Sequence, residues 1–145
     1  MTIRTMTIDD YEQVYALWCN TPEMRLNPSE DGEAEIARYL ARNPGTCFVA
    51  ETDDKIVGVV LSGHDGRRGF LHHMAVARQE QRHGVGGALV STALSALRRA
   101  GISKVALLCF NNNDKGNTFW EKQGFAARED LIYRDKFIDE LTRGT

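Results

Sequence analysis

The strongest signal in the chain is the stretch "FLHHMAVARQEQRHGVGG", residues 70–87. It begins as an apolar strand with two adjacent histidines and ends with three glycines within four positions. Apolar residues then recur at helical spacing between residues 89 and 97, and Gly101 is placed to end that helix. A helix N-terminus presents free N–H groups and partial positive charge, and glycines let an anion approach those amides closely. The stretch therefore predicts a strand followed by a phosphate-binding helix start.

Composition predicts one ordinary globular domain over residues 1–145, with 42% hydrophobic and 26% charged residues. The net charge of −2 argues against a nucleic-acid partner, and no apolar run approaches the ~18 residues of a membrane span. The N-terminus shows no apolar targeting segment, so a cytoplasmic protein is expected. Cys19, Cys47 and Cys109 lack paired spacing and are expected to be buried free thiols, which suits a reducing compartment.

Hydrophobic periodicity predicts the element order βααβββαβαβ. The expected strands cover 2–6, 46–51, 55–64, 70–76 and 104–110, and the remainder after residue 125 is expected to add one or two more. The expected helices cover 11–20, 33–43, 88–101 and 117–124, with Thr7 and Asp10 forming a capping box before the first. Helices separated by strands predict an α/β fold, with a mixed central sheet covered on both faces.

Two common nucleotide-binding signatures fail at the glycines. A Walker loop needs Gly-Lys-Ser/Thr, but Ala88 follows Gly86 and Gly87. The dinucleotide fingerprint needs a further glycine where Leu89 stands. On the glycines alone, a turn that merely allows tight strand–helix packing stays an open alternative.

The neighbouring residues carry a more specific pattern. "QRHGVGG" (81–87) fits Gln/Arg-x-x-Gly-x-Gly/Ala, and "NNNDKGNTFWEKQGF" (111–125) resembles the second signature of the GCN5-related N-acetyltransferase (GNAT) family. "LHHMAVAR" (71–78) is similar to a strand of the arylalkylamine-acetylating branch. The resemblance covers nearly the whole chain. It implies a mixed sheet flanked by about four helices and splayed between strands 4 and 5, with acetyl-coenzyme A as the acyl donor.

The same resemblance implies the site residues. The backbone amide of Met74 would face the thioester carbonyl, and the donor's pantetheine and pyrophosphate would lie along the strand end and the glycine loop. No metal is implied. The expected donor-binding residues are Met74, Ala75, Val76, Gln81, Arg82, His83, Gly84, Val85, Gly86, Gly87, Asn113 and Trp120.

An amine acceptor must lose a proton before it attacks, and histidine titrates in the useful range. Strand alternation places His72 on the face of Met74 and Val76, so His72 is the expected base or water-relay partner. His73 would point the other way, as a satisfied packing residue, unless a bulge intervenes. The less favoured relays are Glu51, His64 and Asp65.

The general acid departs from the family pattern. Many family members have tyrosine where this chain has Trp120, whose N–H has no suitable pKa. Tyr133 or ordered water could substitute, or the thiolate could leave unaided.

The resemblance implies an acceptor that is a primary amine of a small molecule or peptide and is covered by the first two helices and their loop. The acidic run at 29–31 would suit a cation but is also typical of a solvated loop, and Arg67 and Arg68 could bind a carboxylate or form a plain turn. The remaining candidates on that side are Trp18, Met24, Arg25 and Leu26.

Two other classes of function stay open. One is an acyl-coenzyme A-binding module without turnover, supported only by Trp120. The other is an interaction domain that forms a homodimer through C-terminal strands at the sheet edge.

Overall fold

The computed structural model describes residues 1–139, which form one five-stranded sheet flanked by helices. The strands are β1 (Thr2–Thr5), β2 (Phe48–Thr52), β3 (Lys55–His64), β4 (Gly69–Val76) and β5 (Val105–Leu107). The helices are α1 (Tyr11–Cys19), α2 (Pro28–Asp31), α3 (Glu33–Arg42), α4 (Val85–Arg99) and α5 (Asp114–Lys122). None of the helices in this described part of the chain is long and apolar enough to cross a bilayer.

The strands lie in the order β1-β2-β3-β4-β5, antiparallel except for the parallel pair β4 and β5. Strand alternation divides the core into two clusters. Trp18 and Ile36, from α1 and α3, pack on one face, while Leu89 and Leu97 of α4 pack on the other. The expected mixed sheet with both faces covered is confirmed.

Helix α4 lies close to β3 because Gly58 has no side chain. A Cβ at Gly58 would stand 2.9 Å from Leu89 Cδ1 and 3.0 Å from Val85 Cγ1. Every β3 residue from Ile56 to Gly63 is buried, so the strand is enclosed between the two layers. This packing holds the N-terminus of α4 beside the end of β4.

The first turn confirms the expected capping arrangement. The Asp10 carboxylate accepts a hydrogen bond from the Thr7 backbone N–H at 2.8 Å. It also accepts two from the Arg4 guanidinium, at 2.7 and 2.8 Å. Arg4 in turn pairs with Glu51 of β2, so this polar cluster ties the N-terminal strand to the sheet.

Several expectations from the sequence are wrong. Within the described residues, the part after α5 contains no strand, and residues 126–136 are exposed along their length. Strand β5 covers three residues rather than seven, and the short helix α2 lies between the first two expected helices, where no helix was expected. All three cysteines are free as expected, but only Cys47 is buried, while Cys19 is exposed and Cys109 is intermediate.

Candidate active site

A wide opening separates the only parallel strand pair of the described sheet. Strands β4 and β5 pair over three residues each, from Gly69 to Leu71 and from Val105 to Leu107, and they part beyond that point. The cavity between them has a volume of about 1000 Å³. Its lining includes Met24 and Arg25, which follow α1, and the first turn of α4. The expected splay between strands 4 and 5 is therefore confirmed.

Helix α4 begins at this opening with a left-handed turn. Gly84 has φ +83° and no atom within 4 Å of where a Cβ would stand, so conformation rather than space requires glycine there. Arg82 is also left-handed, with φ +70°. The first bond into the helix runs from the Ala88 N–H to the Gly84 carbonyl at 3.0 Å. Because the preceding amides have no intrahelical acceptor, the first turn can bind an anion.

The contacts around Gly86 support the alternative that the glycines allow tight packing. A Cβ there would stand 3.1 Å from two ring atoms of Phe119 and 3.3 Å from Met74 Cε. Gly87 is less crowded, with Gln123 Nε2 at 3.5 Å. The glycines thus allow close packing of α4 on α5 and Met74, and they also leave the first turn bare on the side of the opening.

Almost all the expected donor-binding residues line the opening. His83 is the exception, because its side chain is 65% exposed and lies 3.6 Å from the Glu80 carboxylate. Those that line the opening are Met74, Ala75, Val76, Gln81, Arg82, Gly84, Val85, Gly86, Gly87, Asn113 and Trp120.

Lys115 was missed by the sequence analysis. Its ammonium donates to Gln81 Oε1 at 3.2 Å, while Gln81 Nε2 donates to the Val76 carbonyl at 3.2 Å. These bonds connect α5, the glycine loop and the end of β4 across the mouth of the opening. Lys115 lies inside the second sequence signature, but a lysine in an exposed helix gives no local sign of this contact.

Asn113 and Trp120 both have a structural role as well as a place in the lining. Asn113 caps α5, because its side-chain oxygen accepts from the Gly116 N–H at 2.9 Å. The Trp120 ring makes edge contacts with Phe119 and Phe125, at centroid distances of 4.9 and 5.4 Å. Trp120 is therefore part of the core and of the cavity wall at once.

A bulge interrupts β4 at its histidines. Leu61 pairs with His72 and Val59 pairs with Ala75, so two residues of β4 stand opposite Val60 alone. His73 adopts φ +48°, which is unusual for a residue with a side chain. Such a bulge leaves one residue outside the ladder and turns its side chain.

The bulge overturns the alternation argument for His72. Met74 and Val76 pack with the α4 cluster, whereas the His72 ring lies edge-on to Tyr39 of α3, 6.0 Å between centroids. His72 also stacks on Phe70 at 5.8 Å and lines the opening. Although the residue is exposed, the surrounding protein lowers its pKa through desolvation, and the neighbouring His73 adds to the effect.

His73 is held by residues of α1 and α2. Its Nε2 lies 2.8 Å from Asp31 Oδ1, and its backbone carbonyl accepts from the Trp18 indole N–H at 2.9 Å. The indole and imidazole rings meet edge to face at 5.2 Å. The residue is thus satisfied by hydrogen bonds, as expected, but it also lines the opening.

The other expected relays lie outside the lining of the opening. Glu51 pairs with Arg4, and His64 Nδ1 accepts from the Gly66 N–H at 2.9 Å. Asp65 closes the same turn by accepting from the N–H groups of Arg67 and Arg68 at 2.8 Å each, which identifies these arginines as part of a solvated turn.

The segment after α1 also lines the opening. Arg25 stacks its guanidinium over the Phe110 ring at 4.1 Å, and Met24 lines the cavity beside it. Leu26 packs into the core and Trp18 is fully buried, so neither offers its side chain to a ligand. Tyr133, the expected substitute acid, is 64% exposed and does not contribute to the lining.

This arrangement defines a class of site, namely a long groove between parted strands that ends at the free amides of a glycine-rich helix start. The acetyltransferase (GNAT) family matches residues 11–125. An acetyltransferase of Photorhabdus laumondii is 32% identical over 142 residues, covering 95% of this chain and 96% of that protein.

Solved structures agree on the fold. PaiA N-acetyltransferase of Thermoplasma acidophilum, determined with coenzyme A, has a TM-score of 0.78 at 15% identity, covering 88% of this chain and 90% of the other. An aminoglycoside 6'-N-acetyltransferase of Acinetobacter haemolyticus has a TM-score of 0.73 at 19% identity, covering 96% and 100%. The chain belongs to the GNAT family of acetyltransferases, and the expected enzyme class, an acyltransferase, is confirmed.

Proposed function

We propose that this protein transfers an acetyl group from acetyl-coenzyme A to a primary amine of a small molecule or peptide, by direct attack within a ternary complex. The observation that carries the proposal is the opening between β4 and β5, which ends at the first turn of α4. A long donor with phosphates at one end and a thioester at the other fits that shape and polarity. The amine would bind on the side where the segment after α1 lines the cavity.

The glycine loop would hold the pyrophosphate. Gly84, Gly86 and Gly87 offer backbone amides without side chains, and Arg82 lines the same opening. Backbone amides of the parted strand would bind the extended pantetheine in the way that a sheet edge binds an added strand. Lys115 lies near enough to Gln81 to meet the donor at the mouth.

The backbone N–H of Met74 would donate a hydrogen bond to the thioester carbonyl. Its backbone stands at the bulge, where the ladder with β3 is interrupted. A fixed amide aimed at the thioester oxygen stabilises the charge that develops during attack, and it needs no reorganisation. The acetyl group itself is supplied by the donor's thioester.

The amine must be deprotonated by a group in the opening. His72 is the candidate from the sequence, and its lowered pKa leaves the imidazole neutral at pH 7. His73 lies beside it, so the bulge brings two imidazoles to the same region. No phenol among the described lining residues takes the place of a general acid, which favours departure of the thiolate unaided or with water.

The acceptor class rests on the neighbours as well as on the site. A structural neighbour is named for 6'-N-acetylation of aminoglycosides, which are small molecules with primary amines.

A homodimer and a cytoplasmic location remain predictions. Sedimentation equilibrium of the purified chain tests the first.

The proposal is tested by measuring release of free thiol from acetyl-coenzyme A with a panel of amines: kanamycin, tryptamine, spermidine and an alanine-terminated peptide. We expect turnover with at least one, and initial-rate plots that intersect rather than run parallel. Parallel plots would indicate an acyl-enzyme and contradict direct attack. Thermal stabilisation by coenzyme A without thiol release from any amine would instead support the binding-module alternative.

Arg82→Ala tests the phosphate site. Loss of one charged hydrogen bond of about 1.5–3 kcal/mol should weaken coenzyme A binding by roughly 10- to 100-fold. Arg67→Ala is the matched control, because Arg67 lies in the solvated turn and its side chain is 74% exposed. Equal affinity of both variants by calorimetry would contradict the assignment of the pyrophosphate to the glycine loop.

A further inference from the structure

His73 is placed by an unusual backbone that two other elements hold fixed. The left-handed residue at the bulge is costly, and such strain persists only where neighbours determine it. The Trp18 indole binds the carbonyl of this residue, and the Trp18 side chain is fully buried in α1. The ring of His73 therefore has one defined position, and it is 27% exposed on the side of the opening.

Asp31 is equally well fixed. Its side chain is only 8% exposed, and while Oδ1 faces His73, Oδ2 accepts from the Asn27 backbone N–H at 2.7 Å. Its own carbonyl accepts from the Tyr11 hydroxyl at 2.7 Å. A buried carboxylate of this kind requires a donor, so His73 Nε2 carries the hydrogen and Nδ1 carries the lone pair.

No carboxylate of the described residues forms a hydrogen bond with the His72 ring, although the charge of Asp31 acts on it more weakly than desolvation does. Its ring contacts are the aromatic groups Phe70 and Tyr39, and neither supplies a negative charge. An imidazole that must hold a proton during turnover is favoured by an adjacent carboxylate and disfavoured by desolvation. The two neighbouring histidines therefore differ in the property that a base needs.

We infer that His73, paired with Asp31, takes the proton from the ammonium of the acceptor, and that His72 does not. This inference rests on the proposed acetyl transfer. Asp31 acts as a positioning residue, because it orients the ring and stabilises the imidazolium without touching the substrate.

The ammonium gives one proton to His73 Nδ1, and the freed nitrogen lone pair forms the C–N bond at the thioester carbonyl. The C–S bond then breaks, with its electron pair going to sulfur. The second proton lost from nitrogen reaches the thiolate, giving the free thiol, and His73 returns its proton to solvent.

Titratable groups of the described residues reach the pair from several elements. His72 stands next to it on β4, Tyr11 contacts Asp31 from α1, Glu30 precedes Asp31 on α2, and Glu33 follows at the start of α3. Of these, only His72 titrates between pH 5 and 8 at ordinary pKa values, so His72→Gln is the control for every pH measurement.

The experiment compares pH profiles of kcat and kcat/KM for the wild type, His73→Gln, His72→Gln and Asp31→Asn, using whichever amine of the panel is acetylated. We expect His73→Gln to lose at least 100-fold in kcat at an unchanged KM for acetyl-coenzyme A. The fall of the rate at low pH, which is the acid limb of the profile, should also disappear in this variant. Added imidazole should restore part of the rate. His72→Gln should keep the limb, and Asp31→Asn should move it to lower pH and lower kcat about tenfold.

Three outcomes would overturn the assignment: a His73→Gln variant that keeps the limb, a His72→Gln variant that loses it, or an Asp31→Asn variant with an unmoved midpoint. A wild type that acetylates no amine of the panel instead contradicts the proposed transfer itself. Histidine ring titrations of the wild type by NMR require neither an acceptor nor a stable Asp31 variant. A His73 midpoint at or below that of His72 would refute the pairing.

Discussion

Alanine at the two adjacent glycines of the first α4 turn should have opposite effects. Gly86 and Gly87 share the same helix turn and line the same opening, so both substitutions gain helix propensity from the same local structure. They differ in what the new methyl group meets. At position 86 it would stand 3.1 Å from the Phe119 ring and 3.3 Å from Met74 Cε, whereas at position 87 the nearest atom outside the helix is at 3.5 Å.

These distances set the magnitudes. Gly87→Ala should stabilise the fold by about 0.5–1 kcal/mol, because 3.5 Å is ordinary contact and alanine is the better helix former. Gly86→Ala gains the same amount but must displace a ring and a methionine, and such overpacking costs about 1–3 kcal/mol. The Phe119 ring also contacts Trp120, so it has little room to move. The two variants should therefore differ by about 1–3 kcal/mol in free energy of unfolding.

Urea unfolding of both variants and the wild type measures this difference, and thermal melting should separate them by roughly 2–4 °C per kcal/mol. Coenzyme A affinity provides a second measurement. Gly86→Ala should weaken binding more, because displacement of Met74 and Phe119 changes the cavity wall. Equal stability of the two variants would refute the claim that Gly86 is required for the packing of α4 against α5.

Two further predictions concern the polar contacts that hold the fold. Hydrogen bonds from Arg4 lower the pKa of Asp10, so this carboxylate stabilises the fold above its ordinary pKa of about 4 and loses that effect as pH falls through its lowered folded-state pKa. Asp10→Asn should lower the free energy of unfolding by about 1–2 kcal/mol at pH 7, a figure reduced because Arg4 is partly exposed. Urea unfolding at pH 3 should show a clearly smaller loss. The same difference between variant and wild type at both pH values would contradict this. Trp18→Phe should cost about 1–3 kcal/mol in the same assay, because the His73 carbonyl loses its donor. It should also lower kcat without changing coenzyme A affinity, and a variant with full kcat would show that the bulge holds without the indole.

Local signals in the sequence predicted the structure correctly. About thirty residues contain the strand, the glycines at the start of α4 and the apolar spacing behind them. The structure brings these features together. The second signature, at 111–125, lines the facing wall for the same reason. Short-range patterns of this kind determine local conformation, and the parallel β4–β5 pair then follows from the helix between them.

The features of the fold and the site that the sequence did not predict depend on contacts between distant parts of the chain. Asp31 and His73 are 42 positions apart, and in the sequence Asp31 belongs to an acidic run that is typical of a solvated loop. The expected C-terminal strands failed for a related reason. Leu131, Ile132 and Tyr133 form an apolar run that is typical of a strand, but all three are exposed, because such a run alone supplies no pairing partner.

The bulge in β4 shows how one extra residue can change an assignment of chemistry. In a regular strand, His72 and Met74 would share a face, and His73 would point into the opposite layer. The inserted residue instead leaves Met74 on the α4 face, where it packs beside Gly86, and brings both histidines toward the layer of α1 and α3. In the proposed reaction, the amide that polarises the carbonyl faces the thioester oxygen, while the proton acceptor faces the amine nitrogen, and the bulge would allow both within two adjacent residues. On that proposal, the strain at His73 is the condition that lets one strand supply both groups.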